Sequence, residues 1–66
     1  MFNEREYRAA LARAGYTQKQ LAKEIGVSEA TLSRKVKSGV FLTNEVYAIV
    51  RVLNLENPGP IFFAAE

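Results

Sequence analysis

The sequence predicts an all-α fold in one small domain. Apolar residues recur at intervals of three and four over most of the 66 residues, which is the spacing of one helix face. No useful length alternates apolar and polar residues with the period of two that a half-buried strand requires. Glycines end several apolar segments, and residues that commonly cap helices precede the next ones. These observations indicate short helices around a single core.

The first two helices are predicted from their caps and apolar spacing. Asn3 with Glu6 is typical of a capping box, and Gly15 is suited to end a helix over about residues 4–14. Thr17 with Gln20 forms a second capping box directly afterwards. The apolar positions of the first helix are Tyr7, Ala10, Leu11 and Ala14. Those of the second are Leu21, Ala22 and Ile25, followed by Gly26 as the stop.

Three further helices follow the same pattern. Ser28 is expected to cap a third helix that ends at Ser38 and Gly39 and buries Leu32 and Val36. Thr43 is expected to cap a fourth helix. The apolar face of that helix consists of Val46, Ile49, Val50 and Leu53. A short fifth helix is predicted from Asn57 as N-cap with Pro58 at the first helical position, carrying Ile61, Phe62 and Phe63.

The composition argues against catalysis. The chain has no Cys, His, Asp or Trp, and seven Glu are its only acidic side chains. A thiol nucleophile, a thiolate metal site and a histidine base are therefore excluded. The glutamates are scattered rather than clustered for metal ions. We expect a protein that is not an enzyme and that binds no metal and no cofactor.

The chain also lacks signals for export or membrane insertion. No apolar run approaches the roughly 18 to 20 residues of a membrane span. The N-terminal residues carry acidic charge early and are followed by no apolar stretch, unlike a signal peptide. A cytoplasmic location without a membrane partner is expected.

Tyr16 to Gly39 is the most informative stretch. Two short helices separated by Gly26-Val27-Ser28 must cross steeply, and Ala22 allows their backbones to approach. The stretch resembles the lambdoid repressor/Cro family of XRE-type regulators through the pattern T-Q-x-x-L-A-x-x-x-G-V-S-x-x-x-L-S-x-x-x-x-x-G. The resemblance covers about residues 5–55. The third helix looks one residue longer than is usual there, which leaves open whether Lys37 or Ser38 meets the DNA backbone.

This resemblance implies a compact five-helix domain of the lambda-repressor-like type, spanning residues 1–66 with its helix-turn-helix motif at about 17–37. It also implies a bacterial or phage-encoded transcriptional regulator, most like a small phage-type Cro or repressor. Such a protein binds a double-stranded DNA operator with its third helix in the major groove. Repression and activation are not distinguished at this point.

The residues themselves support a DNA-binding face. With Leu32 and Val36 in the core, the opposite side of the third helix presents Ala30, Arg34 and Lys37. Arg34 could make two hydrogen bonds to a guanine, and Ala30 or Thr31 could contact a thymine methyl group. Glu29 could accept from a cytosine, or its charge could simply complement the helix dipole. Gln18, at a helix N-terminus, suits a phosphate. The predicted DNA-binding residues are Gln18, Ser28, Glu29, Ala30, Thr31, Ser33, Arg34, Lys35 and Lys37.

The charge distribution agrees with this assignment. Residues 1–39 contain eight Lys and Arg against four Glu, a net charge of +4. Residues 40–66 contain one Arg against three Glu, a net charge of −2. The half with the motif is thus the basic half, as binding to phosphates requires.

The C-terminal segment 57–66 is a candidate dimerisation surface. Neighbouring aromatics on a helix point about 100° apart, so Phe62 and Phe63 cannot both face the core. An exposed phenylalanine is commonly buried in a two-fold dimer, and the predicted dimerisation residues are Ile61, Phe62 and Phe63. Alternatively, this aromatic patch serves a protein-interaction module, such as an antitoxin that docks on a toxin.

Overall fold

The computed structural model describes residues 1–64, and this part of the chain contains five helices and no strand. They are α1 (Glu4–Ala14), α2 (Gln18–Ile25), α3 (Glu29–Ser38), α4 (Thr43–Val52) and α5 (Gly59–Phe62). α2 packs against both α3 and α4, whereas α1 packs against α5. The predicted all-α, five-helix fold is confirmed.

The core lies where the four longer helices meet. Each contributes one completely buried large side chain, namely Tyr7, Leu21, Leu32 and Ile49. Burial of an aliphatic side chain of this size stabilises the fold by about 1.5–3 kcal/mol. Val36 and Leu53 extend this core, and Ile25, Val46 and Val50 pack against it from the side, as their helical spacing predicts.

The turn between α2 and α3 depends on the conformation of Gly26. Its φ is +81°, in the left-handed region that a residue with a Cβ atom rarely adopts. The Gly26 amide donates to the Lys23 carbonyl at 3.3 Å, and the Val27 amide donates to the Ala22 carbonyl at 3.0 Å. These bonds use carbonyls at the end of α2 and redirect the chain into α3 within three residues.

The two predicted capping boxes have different outcomes. At α2 the Gln20 amide donates to Thr17 Oγ1 at 3.1 Å, and the Thr17 amide donates to Gln20 Oε1 at 2.9 Å. At α1 only one half forms, with the Glu6 amide donating to Asn3 Oδ1. The Asn3 amide instead donates to the Ile61 carbonyl at 2.7 Å, because the C-terminal segment lies against the start of the chain.

The N-cap predicted for α4 lies one residue too late in the sequence, and the N-cap predicted for α5 lies one residue too early. Leu42, not Thr43, is the N-cap of α4 and has no side-chain acceptor to offer. Its own amide donates to Glu45 Oε1 at 2.8 Å, so the side chain at the third helical position stabilises this end. Pro58, not Asn57, is the N-cap of α5. The neighbouring Asn57 Oδ1 accepts from the Gly59 amide, as in an Asx turn.

An aromatic cluster joins the two ends of the chain. Phe2 lies 5.1 Å from Phe41, 5.6 Å from Tyr7 and 5.7 Å from Phe62 between ring centroids. The Ala64 amide also donates to the Met1 carbonyl at 3.0 Å. These contacts hold the first residues and α5 against α1 and the loop before α4.

Candidate nucleic-acid interface

One side of α3 is polar and faces away from the core. Leu32 and Val36 are buried beneath it. The opposite residues Ala30, Arg34 and Lys37 are exposed, as the sequence predicted. Of the other predicted DNA-binding residues, Ser28 and Glu29 are exposed, while Gln18, Thr31, Ser33 and Lys35 are half-buried. A surface with the long cations Arg34 and Lys37 among small side chains therefore lies along the outside of α3.

Hydrogen bonds connect three of these residues. The Thr31 amide donates to Ser28 Oγ at 3.0 Å, which is the N-terminal cap of α3. Thr31 Oγ1 accepts from Ser28 Oγ at 2.8 Å and from Arg34 Nη2 at 3.3 Å. The guanidinium of Arg34 is thus drawn back along the exposed side of α3, and its position is linked to the cap. The three residues were predicted separately from the sequence, without the hydrogen bonds that connect them.

Lys35 and Lys37 lie in different surroundings. Lys35 shares a shallow depression of about 330 Å³ with Thr31, Arg34, Ser38 and Val40. Lys37 belongs to another depression, of about 410 Å³, whose lining includes Met1, Phe2 and Glu4. The two lysines therefore border different parts of the surface around α3.

An ion pair engages Lys35. Its Nζ lies 3.2 Å from Glu45 Oε1, the same oxygen that accepts from the Leu42 amide. Glu45 is only 8% exposed, and one carboxylate therefore connects α3 to the start of α4. Glu45 was not among the residues predicted from the sequence. The signal that could have found it is its place three residues after Leu42, where a side chain can reach back to the N-cap amide.

Gln18 is positioned by α1. The hydroxyl of the buried Tyr7 donates to Gln18 Oε1 at 3.2 Å. Burial raises the pKa of Tyr7 to about 12; the nearby Arg8 charge lowers it and Glu4 raises it further, both to a lesser extent. At neutral pH the hydroxyl is protonated and can donate this bond. Because Tyr7 uses the oxygen of the Gln18 amide, the Nε2 end is the one available to an anion.

The three predicted dimerisation residues are separated by the fold. Ile61 is 3% exposed and Phe62 is 8% exposed, because both pack into the chain's own core. Phe63 is 71% exposed, so only this residue has its side chain available to a partner. The expectation that Phe62 and Phe63 point to different sides agrees with these exposures.

Residues 1–64 contain no helix long and apolar enough to cross a membrane. The same residues contain no group of three or more potential metal-ligating side chains close enough to hold an ion.

The packed pair of α2 and α3, joined by a three-residue turn and with an exposed polar side on α3, is typical of a helix-turn-helix protein. The family model described as Helix-turn-helix matches residues 5–38. The chain belongs to this family of XRE-type, lambda repressor/Cro-like DNA-binding regulators, whose members are typically non-enzymatic. Comparisons with curated proteins and with solved structures gave no match.

Proposed function

We propose that this chain is a sequence-specific regulator of transcription, acting as a Cro-like repressor that reads the major groove with α3. The observation that supports this most directly is the exposed side of α3, where Arg34 lies among small polar residues. The proposal assigns the protein to the cytoplasm of a bacterium, on DNA, as a bacterial or phage-encoded regulator.

The dimensions of α3 suit the major groove. This groove is about 12 Å wide and admits one α-helix whose facing side chains are small. Ala30 and Ser33 are small enough for close approach, and Arg34 can make two hydrogen bonds to guanine O6 and N7. Thr31 holds the guanidinium before DNA arrives, which lowers the ordering cost of that contact.

Phosphate contacts are proposed at the start of α2. The Thr17 cap serves the Gln20 amide, and the Leu21 amide bonds to the Thr17 carbonyl. The first-turn amides of Gln18 and Lys19 therefore remain at an open, positive helix end that favours an anion. The Nε2 group of Gln18 adds a side-chain donor. Such contacts position a protein on DNA without specifying sequence.

A homodimer on a palindromic operator completes the proposal. Two copies related by a two-fold axis would place their third helices in successive major grooves, with half-sites about 34 Å apart. Phe63, on the surface of the C-terminal segment, is the residue we assign to this contact. Occlusion of RNA polymerase is the simplest way for such a dimer to repress.

The exposure of Phe63 also favours a second candidate function. A protein-interaction module, such as an antitoxin, would use the same side chain to dock on an unrelated protein. The two functions differ in what covers Phe63, a second copy of this chain or a different protein.

Selection from a random pool of duplexes with the purified chain tests the proposed function. We expect enrichment of an inverted repeat whose half-sites are spaced by one helical turn or a multiple of it. No enrichment over several rounds at moderate salt would contradict the proposal. Enrichment of a single half-site would retain DNA binding but refute the dimer.

A further inference from the structure

We propose that Glu45 is a specificity-determining residue that holds the Lys35 ammonium and keeps it from binding DNA phosphates. The inference rests on the proposed function, since it concerns how weakly this protein binds DNA outside its operator. Lys35 was among the residues expected to contact DNA, and the structure supplies the reason for assigning it differently.

The Glu45 carboxylate is held in place from two sides. Its Oε1 accepts from the Leu42 amide at 2.8 Å and lies 3.2 Å from Lys35 Nζ. Only 10% of the Glu45 side chain and 25% of the Lys35 side chain are exposed. The ion pair is therefore shielded from solvent more than an ordinary surface pair, and salt screens it less.

Lys35 lies where a free ammonium would strengthen binding to any duplex. It borders the same depression as Arg34, together with Thr31 and Ser38. A helix that brings Arg34 to base edges brings its neighbour to the rim of the groove, where phosphates lie. One extra phosphate contact at that rim would be independent of sequence.

The ion pair is expected to persist on DNA. Moving the ammonium to a phosphate would leave the Glu45 carboxylate nearly buried without its cation, which is costly. Non-specific affinity comes almost entirely from neutralised phosphates and released counterions, whereas base contacts supply sequence preference. Neutralising Lys35 inside the protein therefore lowers non-specific affinity and leaves the contacts of Arg34 intact.

Glu45→Gln tests this directly. Glutamine keeps an oxygen that can accept from the Leu42 amide but removes the charge that holds Lys35. On a random-sequence duplex we expect the slope of log affinity against log salt to steepen by about 0.9, the value for one phosphate contact. That change corresponds to an additional affinity loss of about 3.5-fold between ~50 and ~200 mM salt.

Glu56→Gln is the matched control, because it removes the same charge from the exposed loop after α4. It should leave the slope unchanged. The double variant Lys35→Gln/Glu45→Gln should return the slope to the wild-type value. An unchanged slope in folded Glu45→Gln, or a steeper slope that persists in the double variant, would overturn the inference.

Lys35→Gln provides an independent measurement if Glu45→Gln does not fold. We expect its salt slope to equal that of the wild type, because the paired ammonium contacts no phosphate. A slope shallower by about 0.9 would show that Lys35 binds phosphate in the native protein and would refute the proposal.

Titration of the unmodified chain with DNA distinguishes a failure of the proposed function from a failure of the role of Glu45. If the unmodified chain binds no duplex, the proposed function fails before the variants are compared. In the other case the unmodified chain binds both an operator and random duplexes. If the salt slope of Glu45→Gln is then unchanged, or stays steeper in the double variant, only the role of Glu45 fails.

Discussion

At the scale of single residues, the candidate interface depends on side chains that are positioned by neighbours. Arg34 is held by Thr31, which also accepts from the Ser28 cap. Gln18 is held by Tyr7 from α1, and Lys35 by Glu45 from α4. Each of these contacts reduces the conformational freedom of a polar side chain on or beside α3. For Arg34 and Gln18, this order lowers the entropy cost of a contact with DNA. For Lys35, the same kind of contact is the one that we propose keeps its ammonium from phosphates.

Arg34→Ala is expected to weaken binding to the selected operator by about 1–3 kcal/mol and to relax the preference at one base pair. The reason is the loss of a two-bond contact with a single base. Titration of the variant against an operator series with every base at each position measures both effects. Lys37→Ala, also on α3, is the control and should reduce affinity without changing base preference. An unaltered base preference in Arg34→Ala would contradict the role assigned to Arg34.

The buried hydroxyl of Tyr7 predicts how stability changes at high pH. Its pKa is raised from 10.0 to about 12 in the folded chain, so folding favours the protonated form. The contribution is fully present below pH 10 and is lost as pH rises toward 12. The free energy of unfolding should therefore fall over this interval.

Denaturant titrations of Tyr7→Phe and Tyr47→Phe across that pH range check the assignment. Tyr47 is exposed and serves as the control, so its variant should retain the wild-type decline. Tyr7→Phe should show a smaller decline, because it lacks the buried hydroxyl. Equal declines in all three proteins would show that Tyr7 is not responsible.

At the scale of helices, the turn and the end of α3 determine how this helix is presented. Gly26 and Gly39 both have positive φ, at +81° and +74°. The surroundings of the two glycines differ. A Cβ added at Gly26 meets nothing within 4 Å, whereas one at Gly39 would lie 3.3 Å from the Phe2 Cβ.

Gly26→Ala should cost about 1–2 kcal/mol of folding free energy, from the left-handed conformation alone. Gly39→Ala should cost more, because it adds a close contact with the aromatic cluster to a similar backbone strain. Urea unfolding of the two variants ranks them. A smaller loss for Gly39→Ala would mean that Phe2 moves aside easily.

At the scale of the whole molecule, burial distinguishes the surfaces that remain for partners. Ile61 and Phe62 close the core, while Phe63 and Tyr47 are exposed aromatics at 71% and 68%. The basic first 39 residues contain the DNA-binding motif, and the acidic remainder contains Phe63. The residues proposed to contact DNA and the residue proposed to contact a second copy thus belong to different stretches of the sequence.

Phe63→Ser should weaken self-association while changing the stability of the monomer by no more than about 0.5 kcal/mol, as is usual for an exposed site. Sedimentation equilibrium, with Tyr47→Ser as the matched exposed aromatic, measures the effect. Self-association that is intact in Phe63→Ser and lost in Tyr47→Ser would move the proposed contact from the C-terminal segment to α4.

Short-range features of the sequence were sufficient to predict much of this structure. Apolar spacing and the Thr17 and Ser28 caps were sufficient to place α2 and α3, and the burial of Leu32 and Val36 was sufficient to predict which side of α3 faces outward. These properties could be predicted because caps and periodicity involve residues within four positions of each other. The resemblance in residues 17–39 depends on the same short-range pattern.

Only the tertiary structure decided what the polar residues contact. The Asn3 amide bonds to Ile61, Tyr7 holds Gln18, and Glu45 holds Lys35. These partners are ten or more positions apart, so helical periodicity places each residue on a side of its helix but does not bring the two sides together. These contacts form where α5 lies against the start of α1, where α1 meets the start of α2, and where α3 meets the start of α4. The packing of α1 against α5 also separates buried Phe62 from exposed Phe63.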